Sequence, residues 1–103
     1  MTDPREASPI GASTALASLI DVQAGGVVSR TLLKNASGSL TLFAFGEGEG
    51  LSEHSTPHEA AVQVLEGTAR VRIGQTDHSV EAGAILHLPA EVPHALHAPE
   101  DFV

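Results

Sequence analysis

The 103-residue chain has no cysteine, no tryptophan and no tyrosine. Without thiols there is no disulfide and no thiolate ligand, so a soft-metal site would have to use imidazole and oxygen. The three aromatic residues are all Phe, and the 42% apolar content is otherwise aliphatic. Positive charge is also scarce. Five basic residues stand against 13 acidic ones, for a net charge of −8. Such a chain repels phosphate backbones and offers no basic patch to anionic lipids, which argues against nucleic-acid and membrane-surface partners. The basic residues are scattered, apart from Arg70 and Arg72. No apolar run approaches the roughly 18–20 residues of a membrane span. Residues 1–9 lack the positive start and apolar run of a secretory signal, so a cytoplasmic location is expected.

The length suits one domain with a modest core, because a chain this small buries only about 60–70% of its unfolded surface. Ten Gly and six Pro imply many turns. Small residues between short β-branched runs point to an all-β fold. Residues 1–12 read as a mobile arm and residues 13–103 as the single domain. Ser13 to Asp21 carries Leu16, Leu19 and Ile20 near helical spacing and reads as a short helical or irregular segment.

Strands are expected at Val27–Lys34, Leu40–Phe45, Ala60–Glu66, Thr68–Ile73, His78–Glu81, Ala84–Leu88 and His94–Ala98. Turns fall at Asn35–Gly38, Gly74–Gln75 and Gly83, and Gly46–Gly50 reads as a flexible acidic loop. Thr68–Ile73 alternates Ala69, Val71 and Ile73 with polar residues, as a strand with one wet face does. Turns every 6–10 residues point to a sandwich or barrel.

All six His lie after residue 53. His78, next to Asp77 and close to Thr76, reads as an ordinary surface imidazole. His87 alternates with Leu86 and Leu88 and faces either outward or into the barrel. His54 and His58 bracket Pro57 just before an apolar strand, and His94 follows 36 positions after His58. Three imidazoles so spaced form a plausible transition-metal set. Gln63 stands inside the apolar run AAVQVLE. A buried amide there would need partners or a metal. Strict alternation from Ala60 points Gln63 the other way, so a bulge would be required for it to reach the site. Glu53 and Glu59 read as solvated carboxylates beside the ligands.

Two segments resemble the paired motifs of the cupin superfamily. In the first, Gly48, His54 and Gly67 match Gly-x5-His-x-His-x3–4-Glu-x6-Gly in register, and VLEG at 64–67 is typical of cupins. In the second, Gly83, Pro89 and His94 match Gly-x5-Pro-x-Gly-x2-His-x3-Asn. Both motifs are incomplete. The second His falls on Thr56, the Glu on Ala60, the second-motif Gly on Glu91 and the Asn on Ala98. The resemblance implies a small stand-alone cupin, a double-stranded β-helix or jelly-roll barrel of the RmlC-like kind. It carries over only His54 and His94 as metal ligands. His58, of the same strand parity as Thr56 and Ala60, is inferred to replace the missing imidazole, with Gln63 as candidate fourth ligand.

One divalent transition metal is expected, Fe, Mn, Ni, Co or Zn, since nitrogen-rich ligation disfavours Mg and Ca. Two functions stay open. One is a metal-dependent enzyme of dioxygenase, isomerase or decarboxylase type acting on a small polar molecule. The other is a non-catalytic module that binds a small ligand or a metal; a metal-free structural barrel is a third reading. Catalytic residues are not assigned. The chain reaches Val103 where a cupin would run one more strand. The open sheet edge this leaves leads to the expectation of a homodimer with continuous or swapped sheets.

Overall fold

The computed structural model describes residues 3, 5 and 7–103. The mobile arm expected over 1–12 therefore lies partly outside the described residues. Within it, Ile10 packs against a cluster on the outer side of the first hairpin. The segment expected to be helical or irregular forms one 3-10 turn, Leu16–Leu19.

Eight strands follow: β1 Val27–Asn35, β2 Gly38–Phe45, β3 Gly50–His54, β4 Ala60–Gln63, β5 Thr68–Ile73, β6 Thr76–Glu81, β7 Ile85–Leu88 and β8 His94–His97. β1 and β2 form an antiparallel hairpin. Its tip is turned by Asn35, whose side-chain oxygen accepts from the backbone N–H groups of Ser37 and Gly38. β3, β8, β5 and β6 make a four-stranded antiparallel sheet, and β4 pairs with β7. Only β3 falls where no strand was expected. GLSEH has one strongly apolar residue, Leu51, and its pairing with β8 is interrupted between Leu51 and His54. A short, irregularly paired strand leaves almost no alternation to read.

Two clusters explain the apolar pattern. Phe45, Val64, Val71, Val80, Leu88 and Phe102 belong to the interior cluster. The rings of Phe45 and Phe102 stack there at 4.4 Å. Leu42, Ala44, Leu32, Ile20 and Val103 form a second cluster, covered by Ile10, Leu16 and Leu19. β2 contributes Phe45 to the first and Leu42 and Ala44 to the second. A strand buried on both faces reads as a continuous apolar run, and LFAF does. At the close of the fold, Phe102 bridges Phe45 while Val103 exchanges backbone hydrogen bonds with Glu66. Gly67 makes this approach possible. It has φ +77°, and a Cβ there would stand 2.2 Å from the Asp101 carbonyl oxygen. Along the rest of their length, β2 and β4 each keep one edge without a strand partner among the described residues.

Candidate metal centre

Antiparallel pairing of β3 with β8 sets the last residue of one strand opposite the first of the other: His54 faces His94. Their rings meet edge to face with centroids 4.4 Å apart. His94 is the one buried polar side chain among the described residues, at 6% exposure. The same local device orients both rings. His54 Nδ1 lies 3.0 Å from the Ser52 carbonyl oxygen, and His94 Nδ1 lies 3.3 Å from that of Val92. A ring nitrogen against a carbonyl has to donate, so in the neutral form of each ring Nδ1 carries the proton and Nε2 has the lone pair. Such backbone-fixed imidazoles are what a metal-ligating His requires.

The pair stands at the wall of a cavity of about 280 Å³. Phe43, Leu51, Val62 and Leu96 give it an apolar lining, and the polar residues bordering it are Thr41, His54, Gln63 and His94. Gln63 therefore borders the same space as the two His. The β4–β7 register is continuous through Gln63↔Ile85, without the bulge that would turn it inward. By alternation Gln63 keeps the face of Ala61, opposite to Val62.

His58 is placed elsewhere. β3 ends at His54, and the chain bends through Thr56–Pro57–His58 before β4 begins. The Thr56 hydroxyl binds both the backbone N–H and the carbonyl of His58, at 2.9 and 3.1 Å. His58 borders a second, more polar cavity of about 550 Å³ with Lys34, Asn35 and Glu59. In donor chemistry and orientation, His54 and His94 fit two ligands of a nitrogen-bound cation. Among the described residues no three His, Asp or Glu side chains stand arranged to hold one.

One contact of the structure has no local signal in the sequence. Glu59, taken as a solvated carboxylate, accepts from His87 Nε2 at 2.5 Å and from the Ala90 backbone N–H at 3.2 Å. These bonds, that from His87 foremost, hold its carboxyl below the ordinary carboxylate range. His87 faces outward, paired with Ala61 across the strands. Residues 59 and 87 become neighbours only through the β4–β7 register, which no local pattern encodes.

The cupin domain family model matches residues 41–102. This chain belongs to the cupin domain family. Among solved structures, the cupin is similar to a conserved protein of unknown function from Streptococcus pyogenes. The two are 32% identical, with TM-score 0.82, over 86% of this chain and 78% of that one. A cupin superfamily protein from Desulfitobacterium hafniense is 28% identical, with TM-score 0.81, over 84% and 80%. A salicylate 1,2-dioxygenase from Pseudaminobacter salicylatoxidans shares the fold at 19% identity and TM-score 0.67, over 79% of this cupin and 25% of that chain. No curated protein matches the chain significantly.

Proposed function

We propose that this cupin binds one divalent transition metal through His54 and His94 and presents it to a small molecule in the adjoining cavity. The observation that carries the reading is the matched orientation of the two rings. Both Nδ1 atoms are tied to backbone carbonyls two residues back, which leaves both Nε2 atoms as donors. His58 is the third ligand of this proposal, recruited from its bend, and Gln63 bounds the ligand space. An imidazole-rich site takes Fe, Mn, Ni, Co or Zn in preference to Mg or Ca.

The bound metal would supply Lewis acidity or redox chemistry at its open positions. The chain's own residues supply orientation and shelter. Apart from the two His, the polar residues bordering the cavity are Thr41 and Gln63, neither of which is a general base at neutral pH. That favours a metal-centred enzyme or a ligand-binding module over proton-transfer catalysis by side chains. Elemental analysis of protein purified without a metal-affinity tag tests the proposal, followed by an oxygen-uptake screen. A stoichiometric transition metal supports it, and O₂ consumption then selects the enzyme reading. Protein that neither retains nor takes up such a metal overturns it.

We also propose a homodimer. Leu33, Leu40 and Ile85 are exposed large apolar residues, and Leu40 and Ile85 border one uncharged groove between β2 and β4. A chain of net charge −8 can approach a copy of itself most closely where its surface is uncharged.

A further inference from the structure

β4 and β7 pair over all four of their residues and stop at Ala60↔Leu88, two residues short of His58. Bonded positions alternate along an antiparallel pair, and Val64 N–H donates to the Ala84 carbonyl. Val62, Ala60 and, two residues on, His58 are therefore the bonded positions. Continuing the register Val62↔Leu86 and Ala60↔Leu88 sets His58 opposite Ala90. Its side chain would then share the face of Ala60 and Val62, both of which line the cavity of His54 and His94.

Instead, three of the four backbone groups of that missing pair are taken by side chains, the His58 N–H by the Thr56 hydroxyl oxygen among them. Just beyond it the Glu91 N–H donates to the Thr56 carbonyl at 2.7 Å. The Ala90 N–H, which would donate to His58, donates to the Glu59 carboxylate. The His58 carbonyl, which would accept it, accepts from the Thr56 hydroxyl. Glu59 is further tied to β7 by His87.

We propose that Glu59 and Thr56 form a latch that holds β4 one step short and keeps His58 off the metal site. When the latch opens, β4 extends to His58 and the third imidazole joins His54 and His94. This rests on the metal-binding reading above and adds a positioning role for two residues outside the ligand set. Metal binding and latch closure then oppose each other, so removing the latch strengthens binding.

The test is calorimetric titration with Zn²⁺ of the full chain and of Glu59→Ala, Thr56→Val and each combined with His58→Ala. Each latch variant should bind Zn²⁺ about five-fold tighter, in keeping with the net worth of one hydrogen bond. Adding His58→Ala should abolish the gain. In the unaltered protein, Zn²⁺ should also shift the Ala90 amide resonance as its partner changes from carboxylate to carbonyl. Thr56→Val keeps the test available should Glu59→Ala fold poorly. If the unaltered protein binds through His54 and His94 but neither latch variant gains affinity, the latch is overturned and the metal reading stands. If no variant binds Zn²⁺, both fall.

Discussion

His54 and His94 face each other across the β3–β8 pair, and each points Nδ1 at the carbonyl two residues before it. This repeated arrangement fixes the same tautomer in both neutral rings. One ring is buried and the other exposed, so the pair joins the barrel interior to solvent.

Ligating imidazoles must be neutral, so protons compete with the metal. Zn²⁺ affinity measured calorimetrically should fall steeply between neutral and mildly acidic pH. Equal affinity at both would show that imidazoles are not the principal ligands.

The Glu59 carboxyl titrates below the ordinary 4.5 because His87 and the Ala90 N–H bind its charged form. A depressed folded value contributes stability above the unfolded one and loses it as pH falls through the folded one. Carbon-detected NMR titration should therefore place the Glu59 midpoint below 4.5. In His87→Ala the midpoint should move upward. An unchanged midpoint would show that the His87 contact does not hold the carboxyl.

Glu91 has φ 69°, a left-handed conformation that glycine adopts freely. It also stands where the second cupin motif has its Gly. A non-glycine residue pays roughly 1–2 kcal/mol there, offset in part by the extra chain entropy that Gly brings to the unfolded state. Glu91→Gly should raise stability by about 0.5–1 kcal/mol in denaturant melts. A loss of stability would contradict this account of the turn.

Light scattering at micromolar concentration should give the mass of a dimer. Ile85→Glu, which puts a charge into the uncharged groove, should shift it toward the monomer. A folded, purely monomeric unaltered protein would overturn the proposed association.

Much of this fold was legible because the strands carry their own punctuation. Thr68–Ile73 alternates cleanly between Gly67 and Gly74, and it forms β5 over those same residues. Leu40–Phe45 is legible as a strand from its apolar run, and the structure adds that β2 is buried on both faces. The two motif matches singled out His54 and His94, and the β3–β8 register sets them opposite each other. What stayed illegible depends on pairing across long separations. The exit of His58 from the expected line depends on a Thr56 hydroxyl turn, and the Glu59–His87 contact on the β4–β7 register. Parity alone put His58 beside His54 and could not anticipate that side chains would replace one step of the ladder.

The measurement closest to the central claim is Zn²⁺ titration of His54→Ala, His94→Ala and His78→Ala beside the unaltered protein. The first two should each lose most of the binding, at least ten-fold in affinity, as expected when a ligand or its orientation is lost. His78→Ala should bind as the unaltered chain does. Undiminished binding in His54→Ala or His94→Ala would contradict the account.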